Sequence, residues 1–232
     1  MGIIPIFFSH ARLLKYIDLI QSKNKPADWA NLSAFISTSH ADAYASLQVI
    51  NLFELLLRNK INHIFSNHYG EAWIITRIYK SVPSKDMRSK IEFALRQQYP
   101  YWRKIPNSIE TIPLNYDKLV HDLDFGFWTT LFTDSYSSHW QAVFTNFYHG
   151  IASNESWQLC KASLHQRTKQ DLLQIKKWRN RISHLQPWEP QFHIVLRTCF
   201  ELVRSIEPSA LSIMISIFRT SRDVSNSLFK PF

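Results

Sequence analysis

The feature that most restricts the fold of this chain is a long run of helical periodicity in its first third. Between about His40 and His68, apolar side chains recur at steps of three and four residues, and Gly70 follows as a natural helix end. The apolar positions are Leu47, Ile50, Phe53, Leu57, Ile61 and Ile64. Only four glycines occur in 232 residues, which leaves few tight hairpin turns for a sheet. We therefore predict an all-α fold.

The same periodicity predicts helices along most of the chain. They are expected at about 9–22, 28–35, 40–68, 83–98, 115–122, 125–132, 138–149, 162–184, 191–205, 208–219 and 221–228, with Asn154 capping a weaker segment. Hydrophobic residues make up 45% of the chain, which is enough for one sizeable core. We expect a single domain over 1–232, a helical bundle with additional C-terminal helices. The proline-rich stretch 100–113 is its only plausible seam.

The distribution of charge favours a polyanionic partner. The chain carries a net charge of +9, and RNA is the obvious polyanion for such an excess. Between Lys161 and His184, seven Lys or Arg residues face a single acid, Asp171. The alternative is a generally basic surface that keeps the protein in solution. An anionic membrane surface would need an amphipathic basic helix, which the sequence does not separate from a packed helix.

Three residues within this basic segment form a candidate catalytic group. On a helix, Asn180 and His184 lie four positions apart on one face, and Arg179 is offset from His184 by about 140°. A histidine can exchange a proton with a hydroxyl, and an arginine can hold a phosphate. Together they can cleave RNA without a metal, with the ribose 2′-hydroxyl as nucleophile. The alternative is that Arg179 pairs with a carboxylate and His184 is an ordinary histidine at a helix end.

Five stretches occur in order along nearly the whole chain. They are S-H-A-R-L-L-K-Y at 9–16, L-F-E-L-L-L-R-N at 52–59, Y-G-E-A-W at 69–73, L-D-F-G-F-W at 123–128 and R-N-R-I-S-H at 179–184. Together they resemble the Abi-like (abortive infection) proteins of the HEPN superfamily, whose motifs include L-E-x-x-L-R-N and the signature R-N-R-[IV]-[AS]-H. One departure follows the signature, where the family often continues H-E-P. This chain has Leu185, Gln186 and Pro187.

The resemblance implies a metal-independent endoribonuclease that acts as a toxin or abortive-infection effector in phage defence. It implies a homodimer in which two motifs meet in one cleft, cleavage that leaves a cyclic phosphate, and a possible cognate antitoxin. His184 would be the general acid or base, Arg179 the phosphate-holding cation and Asn180 the group that orients them. Residues expected to support this site or to contact the substrate are Glu54, Arg58, Asn59, Lys176, Lys177 and Arg181.

A near repeat of the signature occurs earlier in the chain. Arg58 to His63 reads R-N-K-I-N-H, the same form as Arg179 to His184. The two copies can face each other and share one phosphate site, or the later copy alone is catalytic with Glu54 and Arg58 in support. The third interpretation is coincidence, with Arg58 paired to Glu54 four residues earlier.

Several other classes find no support in the sequence. There is no glycine-rich phosphate loop, no G-x-S-x-G elbow and no convincing set of metal ligands, so no metal or cofactor is expected. Cys160 and Cys199 lack C-x-x-C spacing and are expected to be reduced, typical of a cytoplasmic protein, with a disulfide between them as the alternative. No signal peptide or apolar run of membrane-spanning length is recognised. The competing functional hypotheses are a non-catalytic HEPN module that binds RNA or a partner, and a structural interaction module.

Overall fold

The structure, a computed structural model, describes residues 10–23, 26, 28–81, 84–106, 108–149, 162–183 and 192–228. Every regular element within these ranges is helical and none is a strand. The predicted all-α class is therefore confirmed.

Ten α-helices lie within the described ranges. They are α1 (His10–Gln21), α2 (Trp29–Tyr69), α3 (Lys85–Gln98), α4 (Tyr116–Asp122), α5 (Phe125–Thr130), α6 (Ser137–Gln141), α7 (Phe144–Phe147), α8 (Ala162–Ser183), α9 (Phe192–Ile206) and α10 (Leu211–Leu228). A π-helix spans Ile74–Tyr79, and short 3₁₀ turns occur at Ile109–Thr111, Asp134–Tyr136 and Pro208–Ala210. The segment predicted to follow Asn154 lies outside the described residues.

Helix α2 is one element of 41 residues, where the sequence predicted two helices. Asp28 caps its start, since the backbone N–H of Asn31 donates to Asp28 Oδ1 at 2.8 Å. The predicted break at 36–39 does not occur, because neither Gly nor Pro interrupts the backbone there. The Thr38 hydroxyl donates to the Ala34 carbonyl of the same helix at 2.9 Å. Gly70 ends the helix as predicted, with φ +86° and its N–H donating to Ser66 O.

Three other elements differ from the prediction. The π-helix after Gly70 was not expected; its wider turn accompanies burial of Ile74, Ile75 and Ile78. The helix predicted over 138–149 is divided into α6 and α7. The two C-terminal helices predicted over 208–228 form α10, since neither Gly nor Pro occurs between Pro208 and Pro231 to interrupt it.

The chain forms two compact units. Unit 1 comprises 1–53, 177–204 and 209–232, and unit 2 comprises 54–176 and 205–208. The division falls within α2 and within α8. The proline-rich stretch 100–113 lies inside unit 2.

Unit 1 has an aliphatic core with a small aromatic contact. Tyr16 and Ile20 of α1 are buried with Leu32 and Ile36 of α2, and Phe35 packs edge-on against Tyr16 with ring centroids 6.1 Å apart. Further buried side chains of this unit are Val195, Leu196, Cys199, Leu202, Val203 and Met214. On the unit's surface, Arg222 pairs with Asp42 at 3.0 Å.

Unit 2 is built around aromatic rings. Phe65 lies 4.8 Å from Trp73 and 4.9 Å from Trp140, and Phe132 lies 4.3 Å from Trp140 between ring centroids. The buried indole N–H groups are satisfied: Trp73 Nε1 donates to Asn62 Oδ1 at 2.9 Å, and Trp140 Nε1 donates to the Leu131 carbonyl at 2.8 Å. Large aromatic surfaces with satisfied polar atoms supply much of a core's stabilisation.

A histidine lies inside this aromatic core. His165 of α8 is 5% exposed and stacks on Phe132 with ring centroids 5.5 Å apart. Neither of its ring nitrogens has a hydrogen-bond partner among the described residues. Burial lowers the pKa of His165, an effect that the Phe132 backbone and the Asp134 carboxylate offset only in part. Beside it, the hydroxyls of Tyr148 and Thr168 hydrogen-bond to each other. His165 is therefore held neutral.

We predict that the free energy of unfolding decreases as the pH falls below about 6.5, the pKa of histidine in an unfolded chain. The folded pKa of His165 is lowered, so the unfolded chain binds more protons in the interval between the two pKa values. A single group of this kind changes the free energy of unfolding by at most about 1.4 kcal/mol per pH unit. The measurement is urea unfolding between pH 5 and 8. The free energy of unfolding should depend less steeply on pH in His165→Phe, a variant whose folding is first checked by circular dichroism.

His139 keeps part of this slope in the variant, because burial and Arg77 lower its pKa as well. The exposed His68→Gln is the control and should keep the wild-type slope. An unchanged slope in both His165→Phe and His165→Leu would contradict the assignment.

A second prediction concerns the end of α2. Gly70→Ala should lower the free energy of unfolding by about 1–2 kcal/mol, because a Cβ disfavours the left-handed conformation. A Cβ there would meet no atom within 4 Å, so the effect is conformational and not steric. Gly70→Asn should lose less, since asparagine tolerates this conformation. Urea unfolding measures both variants, with stability compared from the midpoints when the dependence of the free energy on urea concentration is unchanged. Equal stability of wild type and Gly70→Ala would refute the explanation.

Candidate functional site

Helix α8 buries one face and exposes the other. Leu172, Ile175, Trp178 and Ile182 recur at helical spacing and are buried. Leu173 is also apolar but is 48% exposed. It belongs to an exposed stripe that contains positions 166, 170, 173, 177 and 180.

Three of the cations on α8 have partners. Arg167 pairs with Asp171 at 3.9 Å, and Lys169 pairs with Asp134 at 2.9 Å. The hydrogen bond from Lys169 contributes most to lowering the pKa of the Asp134 carboxyl. The Arg181 guanidinium lies 4.8 Å from the centre of the Trp178 ring, within the range of a cation–π contact. Three positive charges of the helix are therefore already in contact with a carboxylate or an aromatic ring.

Three cations near the end of α8, Lys176, Lys177 and Arg179, have no ion-pair partner within the described ranges. Lys177 is exposed, and Lys176 and Arg179 are half-buried. Arg179 Nε is buried and has no hydrogen-bond partner there. A buried guanidinium N–H is normally satisfied by an oxygen atom. Asn180 is exposed on the next position of the helix. This end of α8 therefore carries positive charge that the described residues do not neutralise.

His184 lies outside the described residues, as do Leu185 and Gln186. The geometry that joins His184 to Arg179 and Asn180 therefore stays a prediction. Ser183, the last residue of α8, donates its hydroxyl to the Arg179 carbonyl at 2.8 Å.

Four of the six residues expected to support the site belong to unit 2, and Lys177 and Arg181 belong to unit 1. Glu54 and Arg58 are half-buried on α2, and Arg58 Nη1 donates to the His121 carbonyl at 3.4 Å. Asn59 is exposed on α2, and Lys176 is half-buried on α8. Lys177, Arg179, Asn180 and Arg181 belong to unit 1. That the two near repeats share one phosphate site stays a prediction.

One surface of unit 2 was not singled out from the sequence. Tyr101 is 95% exposed, and its neighbour Trp102 stacks on Tyr99 with centroids 4.2 Å apart and planes 8° from parallel. Arg103 and Lys104 follow, both exposed. The available signal was a run from 93 to 109 that contains three cations and no acid. Exposed aromatic rings beside cations are typical of surfaces that bind single-stranded nucleic acid.

A polar pocket in unit 2 was also missed. Five of its residues follow one face of α2 at steps of three and four: Asn59, Asn62, His63, Ser66 and Asn67. The spacing was visible in the sequence, but polar residues on a helix face usually indicate only contact with solvent.

No protein-family model, curated protein or solved structure matches the chain. Within the described ranges, no group of three or more His, Cys, Asp or Glu side chains is arranged to hold a metal ion. None of the described helices combines the length and the apolar character that crossing a membrane requires.

Proposed function

We propose that this protein is a metal-independent endoribonuclease of the Abi-like HEPN type, acting as a toxin or abortive-infection effector. The observation that supports the proposal is the positive charge of Lys177 and Arg179. Neither cation has an ionic partner among the described residues, and both lie within two helical turns before His184 in sequence. A phosphodiester supplies the anion that such a pair of cations requires. The ordered motifs shared with the family supply the reaction type.

The reaction needs one base, one acid and one cation. The neutral His184 imidazole takes the proton of a ribose 2′-hydroxyl, and the 2′-oxygen attacks phosphorus. The bond from phosphorus to the 5′-oxygen breaks, and a histidinium returns a proton to that oxygen. The products are a 2′,3′-cyclic phosphate and a 5′-hydroxyl. In a homodimer, the two copies of His184 supply the base and the acid.

Arg179 is suited to the cationic role in this reaction. A guanidinium donates two parallel N–H bonds to phosphate oxygens, and its positive charge stabilises the additional negative charge of the transition state. The half-buried position of Arg179 strengthens that interaction, since fewer water molecules screen it. Asn180 adds an amide that orients the reacting groups. In this proposal the protein acts in the cytoplasm on cellular or phage RNA, with a cognate antitoxin as a further partner.

The direct test is incubation with total RNA in EDTA. We predict that His184→Ala and Arg179→Ala each reduce cleavage by about a hundredfold or more, since losing a general acid–base group or a charge-stabilising donor has effects of this size. Mass spectrometry of wild-type products should find 2′,3′-cyclic phosphate ends.

The matched control is Arg167→Ala, which removes an exposed arginine of the same helix that is already paired with Asp171. It should cleave like the wild type. Cleavage by His184→Ala at the wild-type rate would remove His184 from the mechanism.

The two cations also predict a measurable difference in RNA binding. In the His184→Ala background, Lys177→Ala should weaken binding of a single-stranded RNA and reduce the slope of log K against log salt concentration by about 0.7, the loss of one phosphate contact. Arg167→Ala should leave the slope unchanged, because Asp171 already neutralises that charge. Fluorescence anisotropy from low to moderate salt measures both, and equal slopes in the two variants would contradict an RNA surface at Lys177.

The second candidate is a non-catalytic module that binds RNA. The exposed Tyr101 beside Arg103 and Lys104 favours it, since stacking and charge suffice for binding without cleavage. Expression in a bacterial host distinguishes the two functions. A nuclease arrests growth, and the arrest disappears in Arg179→Ala, whereas a binding module is tolerated in both forms.

A further inference from the structure

A pocket of about 510 Å³ lies between the C-terminal half of α2 and the segment 114–120 in unit 2. This volume is within the range of about 300–1,000 Å³ that small-molecule sites occupy. The lining of the pocket is dominated by side-chain amides, carboxylates and hydroxyls, and its only aliphatic residues are Leu114 and Val120.

Hydrogen bonds within the protein fix which amide atoms remain for a ligand. Asn62 Oδ1 accepts from Trp73 Nε1 at 2.9 Å and from the Ser66 hydroxyl at 3.2 Å. An indole N–H can only donate, so the Asn62 Nδ2 group keeps its two N–H donors for the pocket. Asn115 is oriented in the same way, because its Oδ1 accepts from the Lys118 backbone N–H at 2.9 Å.

The pocket also presents acceptors. Asn67 Nδ2 lies 3.1 Å from His63 Nε2, and an amide Nδ2 only donates, so Asn67 Oδ1 remains an acceptor. Glu71 and Asp117 add two exposed carboxylates. The pocket therefore presents both donors and acceptors, and Tyr116 is among the residues that line it.

The charge of the pocket is opposite to that of the protein. The chain has 27 Lys and Arg residues against 18 Asp and Glu, yet none of the residues that line the pocket is Lys or Arg and two are acidic. A phosphate inside would face like charges, which is unfavourable. The ligand that fits is neutral or carries donor N–H groups, with any phosphate outside.

We infer that this pocket binds one unstacked base of the RNA substrate and selects bases that carry an exocyclic amino group. The amino groups of adenine, cytosine and guanine donate to carboxylates and amide oxygens, and their ring acceptors take amide N–H bonds. Uracil has no amino group and offers one N3–H donor between two carbonyl oxygens, so it can satisfy fewer of the acceptors that Glu71 and Asp117 present. The Tyr116 ring offers a surface on which a base can stack.

The inference rests on the proposed function for the source of the base, because the same chemistry would bind a free nucleoside. None of the proposed catalytic residues Arg179, Asn180 and His184 lines the pocket, and Asn59 is the one residue of the expected supporting set that does. Nucleoside binding therefore tests the pocket separately from RNA cleavage. If His184→Ala still cleaves RNA, the proposed nuclease mechanism is wrong, and the binding of nucleosides by the pocket is still decided by its own measurement.

The experiment is calorimetric titration of the full chain with adenosine, cytidine, guanosine, uridine and adenosine 5′-monophosphate. We predict that cytidine and adenosine bind at least about fivefold more tightly than uridine, and that the monophosphate binds no more tightly than adenosine. In a variant carrying Glu71→Gln and Asp117→Asn, cytidine binding should weaken about tenfold, the effect of losing a charged acceptor. Uridine binding should not weaken.

The control is Asp223→Asn, which removes an exposed carboxylate of α10 outside the pocket. It should bind cytidine like the wild type. A second arm measures anisotropy of short oligo(A), oligo(C) and oligo(U) with His184→Ala, where the same preference against uracil identifies RNA as the source of the base.

Several results would overturn the inference. They are no binding of any nucleoside up to about 5 mM, equal binding of uridine and cytidine, tighter binding of the monophosphate, or an unchanged cytidine affinity in the doubly substituted variant. A preference seen with free nucleosides but absent in the oligonucleotides would overturn RNA as the source.

Discussion

The uninterrupted hydrogen-bond ladder of α2 is the constraint on which the rest of the structure depends. Asp28 satisfies a free N–H at its start, and Gly70 takes the left-handed conformation that ends it. Between them, neither Gly nor Pro interrupts 41 residues of helix. The helix contributes buried residues to the cores of both units, including Ile36 in unit 1 and Phe65 in unit 2.

Much of the helical architecture could be predicted because apolar periodicity and capping residues are local signals. Ser84 and Asn115 mark helix starts in the sequence, and the structure shows both as caps that accept a backbone N–H. The break expected near Ser37 was wrong because residues 37–39 are only Ser and Thr, which lower helix propensity without interrupting the backbone as Gly or Pro would. The π-helix could not be predicted, since no residue type specifies it.

The sequence could predict which residues belong to the candidate site, but it could not predict their contacts. The sequence identified Arg179 and Lys177 by composition, yet it could not say which cations would be neutralised. Asp134, which pairs with Lys169, is 35 residues away in sequence. The pocket of unit 2 also depends on a tertiary contact, because the orientation of Asn62 follows from the indole of Trp73, 11 residues away in sequence. Such contacts appear only when the chain has folded.

The two faces of α2 in unit 2 have separate roles, with one residue that serves both. Leu57, Ile61 and Phe65 are buried in the core. Asn59, His63 and Asn67 line the pocket and lie outside the core. Under our proposal, substitutions on the polar face would change the ligand preference of the pocket, and these positions lie outside the buried core. Asn62 is the exception, because it holds the Trp73 indole and lines the pocket, so selection on packing and selection on recognition act there on a single amide.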